Sequence, residues 1–261
     1  MVVFFDIDGT IVDYETQQIP ESTVRAVKAL RENGHIPVVN TGRPYSHIDK
    51  RVLALDFAGY VCACGMETVL DGKWLSRCKP DLELCRYVRD SVRACDMYVT
   101  YEADGGALLL DGRWSLHPQA LYEADGMLRK GFSVPQIDYL PQPEFIKFCT
   151  YEKEHSNREE FLRRMTPHFE VIDRVTLLEF VTKGCSKAQG MLDLLAHLGI
   201  SQEDTMAIGD STNDLSMFAV AKHTVCLGGG MEELKREAEY VTAEVMDDGI
   251  EKALRHYGLI G

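Results

Sequence analysis

Four consecutive apolar residues, Val2 to Phe5, run directly into Asp6-Ile7-Asp8-Gly9-Thr10. A short β-favouring run that ends in turn residues predicts a buried strand. A helix opens at Pro20-Glu21-Ser22, with Val24, Val27 and Leu30 on one face and Gly34 as its stop. Residues 36–40 read as a second strand, followed by Thr41-Gly42-Arg43-Pro44. Strand, helix, strand in this order is a βαβ unit, and its right-handed crossover makes the two strands parallel. A helix over residues 45–53, an apolar run over 59–63 and a hairpin of 67–70 with 73–75 around Asp71-Gly72 continue the segment.

The rhythm changes near Pro80. Residues 81–95 are predicted helical, with Leu82, Cys85, Tyr87 and Val88 toward one face. Strands are expected at 97–101 and 107–110, around Asp104-Gly105-Gly106, and at 145–150, 169–173 and 177–181, with a helix at 157–165. Residues 114–143 read as a polar, Pro-rich passage. Alternating units then return: helix 187–198, strand 205–208, helix 214–220, strand 224–227, helix 232–239 and a last helix at 250–257. The pattern predicts an α/β fold, a doubly wound parallel-sheet core over 1–80 and 184–261, interrupted by an inserted α+β domain over 81–183.

Composition narrows the class. At 261 residues with 45% apolar content, the chain can bury a sizeable core. The formal charge of −13 argues against a nucleic-acid surface. No apolar run reaches the ~18–20 residues that span a bilayer, and no basic segment followed by an apolar stretch marks a signal peptide. The eight cysteines are scattered without a CxxC pair, which reads as reduced core thiols of a cytoplasmic protein. The eight histidines share no ligand spacing and read as surface or packing residues. Nothing in the sequence sets an oligomeric state.

In an open parallel sheet, ligands bind beyond the carboxyl ends of the strands. Three polar clusters leave strands at that edge: Asp6 and Asp8; Thr41-Gly42-Arg43; and Gly209-Asp210-Ser211-Thr212-Asn213-Asp214. Asp6 and Asp8, two apart in an extended chain, point the same way. Paired carboxylates at a buried strand end need a cation between them or a proton on one. Asp6, Asp8 and Asp210 offer the hard oxygens that suit Mg²⁺. The Thr41 hydroxyl and Gly42 amide suit a phosphate. Lys187 supplies a cation at a helix start, Asn213 a donor, and Asp214 a carboxylate that can orient a metal-bound water or the lysine. An Asp carboxylate can also act as a nucleophile toward phosphorus.

Asp6-Ile7-Asp8-Gly9-Thr10, Thr41-Gly42-Arg43-Pro44, Lys187 and Gly209-Asp210-Ser211-Thr212-Asn213-Asp214 resemble the four ordered motifs of the haloacid dehalogenase superfamily. More narrowly, they resemble its Cof-type sugar-phosphate phosphatases, which carry a large α/β cap between the second and third motifs. The likeness continues through Glu232-Glu233-Leu234-Lys235, Tyr240-Val241-Thr242 and Asp247-Asp248-Gly249-Ile250. It implies an Mg²⁺-dependent phosphatase of small phosphate monoesters, with an aspartyl-phosphate intermediate. Asp6 would attack phosphorus, and Asp8 would protonate the leaving oxygen and later activate water. Asp6 and Asp210 would bind Mg²⁺ through side chains and Asp8 through its carbonyl. Thr41, Lys187 and Asn213 would hold phosphoryl oxygens, and Arg43 is a candidate contact to substrate or cap. Lys183 competes with Lys187, which fits better because it opens the returning helix. Cys64-Gly65 stands where the family has Asn-Gly, and Leu227-Gly228-Gly229-Gly230 where it has Met-Gly-Asn/Gln-Ala; both could alter the rim around the leaving group. Trp114, Tyr122 and Tyr139 either line a sugar pocket or pack within the cap. A phosphosugar mutase and a non-catalytic phospho-ligand binder are the competing readings.

Overall fold

The computed structural model describes residues 1–174 and 176–261, which form two compact units. One comprises Met1–Arg43, Ile48–Ser76 and Ser186–Gly261; the other comprises Pro44–His47 and Arg77–Cys185. In chain order the elements are β1 Val2–Phe5, α1 Glu21–Glu32, β2 Ile36–Asn40, α2 Lys50–Leu53, β3 Gly59–Cys62, β4 Glu67–Leu70 and β5 Lys73–Arg77. Then come α3 Leu82–Ala94, β6 Tyr98–Ala103, β7 Ala107–Leu109, α4 Pro118–Arg129, β8 Lys147–Tyr151, α5 Arg158–Met165, β9 Phe169–Asp173 and β10 Leu178–Thr182. The last stretch holds α6 Lys187–Leu198, β11 Thr205–Gly209, α7 Leu215–Phe218, β12 His223–Cys226, α8 Glu232–Glu237, β13 Tyr240–Val241 and α9 Gly249–His256.

The first unit is built on an eight-stranded sheet in the order β13-β12-β11-β1-β2-β3-β4-β5. β1 lies centrally, parallel to β11 and β2, with Val2 opposite both Thr205 and Ile36. Its four residues are fully buried because both sheet faces are covered. Val2 and Phe4 join a cluster with Met191, Leu194 and Leu195 of α6, Met217 of α7 and Leu234 of α8. Val3 and Phe5 point the other way, toward the side carrying α1 and α9, which pack on one another. β4 runs antiparallel to β3. Asp71 and Gly72, both at positive φ, close the turn into β5, the geometry a two-residue hairpin requires.

The second unit holds an antiparallel sheet in the order β7-β6-β8-β10-β9. One face packs Val99, Tyr101, Phe148 and Phe180 against Cys85, Val88 and Val92 of α3 and Phe161 and Met165 of α5. Alternation sends Glu102, Lys147 and Glu179 to the opposite face. There Lys147 pairs with Glu179 and lies 3.2 Å from Glu102, while Arg174 lies 2.9 Å from Glu179. Burial would raise Glu179, but Lys147 and Arg174 hold it down to about 2.

Local patterns mislead in four places. Residues 45–53 form not one helix but a 3₁₀ turn, Tyr45–His47, and α2; Asp49 restarts the chain by accepting from the Arg51 amide at 2.8 Å. The passage 114–143 contains α4, opened by Pro118 and capped by His117. Its buried face carries only Ala120 and Ala124, whereas Leu121, Tyr122 and Leu128 are exposed, so its apolar period gives no warning. Val24 is exposed because α1 buries Thr23, Ala26, Val27 and Leu30, a face about 120° away from it. α3 likewise buries Cys85, Val88, Ser91 and Val92 and leaves Tyr87 exposed. Tyr122 and Tyr139 are largely exposed, while Trp114 lies under Arg93 and Arg113. No helix among the described residues is long and apolar enough to cross a membrane.

Candidate active site

The carboxyl ends of β1, β2 and β11 bring their turns together. The Asp6 amide donates to the Ile208 carbonyl at 3.0 Å, so Asp6 is still in the ladder where its side chain emerges. The Asp210 carboxylate accepts from Thr10 Oγ1 at 3.3 Å. Gly9, at φ +77°, is held to glycine because a Cβ there would lie 2.4 Å from Asp210 Oδ2. Gly209 plays the same part for Asp214, whose Oδ2 would stand 2.4 Å from a Cβ.

Lys187, 2% exposed, extends Nζ to Asp6 Oδ1 at 2.6 Å and Asp214 Oδ1 at 2.5 Å. Asp214 Oδ2 accepts the amides of Asp210 and Ser211 at 3.0 and 3.2 Å, so both its oxygens are engaged. The competing Lys183 belongs to the second unit, where Nζ donates to the Thr166 carbonyl. Asp6, Asp210 and Asp214 bring one carboxylate oxygen each to within 4.8 Å of one another. The Asp8 carboxylate stands outside that group, gripped by Arg43 through Nη2 and, at 2.8 Å, Nε. Thr41 is buried, and its Oγ1 accepts the Arg43 amide at 3.2 Å; Gly42 beside it is half-buried. Asn213 Oδ1 accepts from Ser211 Oγ at 2.6 Å.

Three buried carboxylates share one ammonium, and the electrostatics show the imbalance. Burial pushes Asp6 up to about 7; Lys187 draws it down, and Asp214 and Asp8 push it back up. Burial, then Asp6 and Asp214, raise Asp210 to about 8. Burial disfavours the Lys187 ammonium, but Asp214 and Asp6 outweigh it and hold the group above its ordinary range. A divalent cation fits this set: hard oxygen donors with surplus negative charge. Asp6 and Asp210 are the side chains best able to hold it, since the Asp214 oxygens already have partners.

The raised carboxylates fix the sign of a pH effect. Between the ordinary 3.8 and about 7–8, the folded chain keeps protons that the unfolded chain has released. Their contribution therefore lowers stability as pH rises through that window. Chelated protein is expected to melt at a lower temperature at pH 8 than at pH 5.5, and Mg²⁺ to recover most of the difference. A chelated protein whose melting temperature climbs over this range would show that the carboxylates are not held protonated.

Several positioning residues carry little sequence signal. Asn40 Nδ2 donates to the Lys187 carbonyl at 3.1 Å; a buried polar residue closing an apolar strand was the available clue. Ala63, Cys64 and Gly65 have three successive positive φ values. The amides of Ala63 and Cys64 donate to the Arg43 and Thr41 carbonyls at 2.8 and 3.1 Å. A Cβ on Gly65 would lie 2.2 Å from the Ser186 carbonyl oxygen at the start of α6. This turn thus touches both the Thr41–Arg43 loop and the helix bearing Lys187. Similarly, Gly230 leaves room for the Asp210 carbonyl, which accepts the Met231 amide at 2.7 Å. Gly65 and Gly230, within the two stretches that differ from the family pattern, thus make room for backbone of the motifs.

A model of the haloacid dehalogenase-like hydrolases matches residues 3–254. The chain belongs to that family, and within it to the enzymes that hydrolyse phosphoric monoesters. It is 28% identical over 266 residues to YkrA of Bacillus subtilis (strain 168), covering 99% of this chain and 98% of that one. It is 24% identical over 265 residues to the 5-amino-6-(5-phospho-D-ribitylamino)uracil phosphatase YitU of the same organism, covering 98% and 97%. Among solved structures, the haloacid dehalogenase subclass IIB sugar phosphatase BT4131 superposes with a TM-score of 0.81 at 26% identity, covering 99% of each chain.

Proposed function

We propose that the protein is an Mg²⁺-dependent phosphatase of small phosphate monoesters, sugar phosphates above all, working through an aspartyl-phosphate. The observation that carries this reading is the buried group of Asp6, Asp210 and Asp214 around Lys187, at the carboxyl edge of the sheet. The polyhydroxylated substrates in the names of YitU and BT4131 support the sugar-phosphate part.

Asp6 and Asp210 would hold Mg²⁺ with the Asp8 carbonyl, and the ion would supply positive charge to the phosphoryl group. Asp6 attacks phosphorus as the ester P–O bond breaks, and Asp8 hands its proton to the leaving oxygen. Water then attacks the aspartyl-phosphate, Asp8 takes the water's proton, and the bond to Asp6 breaks to release phosphate. Thr41, Gly42, Lys187 and Asn213 hold the phosphoryl oxygens. Asp8 can act as an acid only after Arg43 lets go of it, so Arg43 exchanges that carboxylate for the incoming phosphate.

A phosphate-release screen over sugar phosphates, nucleotides, pyridoxal phosphate and flavin mononucleotide tests the reading. Turnover is expected for sugar phosphates, lost with EDTA and regained with Mg²⁺. Ca²⁺, with longer bonds and more ligands, is not expected to restore it, because it can engage both Asp6 oxygens and occupy the attacking one. Full activity in excess chelator would rule out the metal; an isomeric phosphosugar in place of free phosphate would identify a mutase.

A further inference from the structure

The loop after the first motif holds a residue that the proposed chemistry does not use. Asp8 bridges to Val12, and the Gly9 amide donates to the Val12 carbonyl at 2.8 Å, so the chain doubles back over the strand end. The next residues are pinned at nearly every position. The Asp13 amide donates to the Gln18 carbonyl at 3.0 Å, and the Asp13 carboxylate accepts from the Thr16 amide and hydroxyl, both at 2.7 Å. Gln17, at φ +56°, donates from Nε2 to the Tyr14 carbonyl at 2.9 Å, and its own carbonyl accepts from Arg51 at 2.8 Å.

The large side chain this loop presents to the site is Tyr14. A Cβ built on Gly9 would meet Tyr14 Cε2 at 2.3 Å and Asp210 Oδ2 at 2.4 Å, so the ring and the carboxylate share the space over Gly9. The ring edge is thus seated beside Asp210, yet Tyr14 remains 58% exposed. A leaving oxygen within reach of Asp8 must carry its organic group outward, away from the buried acids. The half-exposed Tyr14 ring, carried on a loop whose backbone is held in place, stands beside those acids.

We propose that the Tyr14 ring is a wall against which the leaving group packs, making Tyr14 a specificity-determining residue of the phosphoester site. The proposal rests on the phosphatase reading. An aromatic face offers a large, rigid contact to a sugar ring and little to a group of two carbons.

The test compares Tyr14→Phe and Tyr14→Ala with the wild type, using acetyl phosphate and the best sugar phosphate of the screen, with inorganic phosphate as inhibitor. Tyr14→Ala is expected to lower kcat/KM for the sugar phosphate at least about tenfold while acetyl phosphate changes by no more than about twofold, the scale of a lost apolar contact. Tyr14→Phe, which keeps the ring, should follow the wild type on both, and phosphate inhibition should be unchanged throughout. Melting curves report whether both variants fold. Equal losses on the two substrates, no loss on either, or a Tyr14→Phe as damaged as Tyr14→Ala would overturn the proposal while a turning-over wild type leaves the phosphatase reading standing. A wild type inactive on every ester overturns both.

Discussion

Asp6→Asn is expected to abolish turnover and leave the fold intact. The amide nearly matches the carboxylate in shape, but it is a poor nucleophile and a poor ligand for a hard cation. A loss of about 10⁴-fold corresponds to about 5.4 kcal/mol of transition-state stabilisation. The substitution also removes the cost of a buried charge, which with the neighbouring Asp214 and Asp8 pushes Asp6 up to about 7, so chelated variant protein should melt no lower than the chelated wild type at pH 8. Single-turnover assays with acid quench provide the check, since no phosphoprotein should accumulate. Near wild-type turnover with Mg²⁺ present would remove Asp6 from the nucleophile's place.

Lys187→Met should be costly in two ways. The thioether fills much of the space but leaves Asp6 and Asp214 without the ammonium that lies 2.6 and 2.5 Å from them. Removing one partner of a buried ion pair destabilises by about 3–5 kcal/mol, and here the penalty should shrink on acidification as the stranded carboxylates take up protons. The proposed role of Lys187 as a preorganised cation for the phosphoryl group predicts a kcat lowered about 10²–10³-fold. Lys187→Arg is not expected to rescue it, because a planar fork does not replace a point charge in a fully enclosed site. Calorimetry at pH 5.5 and 8, with steady-state kinetics under saturating Mg²⁺, separates the two effects. A variant that melts normally and turns over normally would assign the lysine no role in either.

Much of the architecture is written in local patterns. The apolar run Val2–Phe5 can only be a strand covered on both faces, and it is fully buried at the centre of the sheet. Alternating strands and helices, with crossovers of one hand, force the ends of β1, β2 and β11 to the same edge, so the turns bearing Asp6, Thr41 and Asp210 had to meet. Asp71-Gly72 announces its hairpin because both positions need positive φ. Where the period failed, packing had overridden it. α4 buries alanines and exposes leucines, and the 45–53 stretch breaks at Asp49, whose side chain caps α2.

By itself the sequence determined the order of most elements of the core, the sheet edge that carries the acids and the residue types assembled there. Those follow from periodicity and strand direction, which act between near neighbours in the chain. Only the tertiary structure decided which acid has which partner. Lys187 reaches Asp6 across 181 positions and leaves Asp214 saturated. Arg43 takes Asp8 out of the carboxylate group, and Tyr14 settles over Gly9 beside Asp210. Burial raises Asp6 and Asp210 only once both faces of the sheet are covered. Charge pairing and desolvation depend on distances of a few ångströms between residues far apart in the chain, and no local pattern encodes those distances.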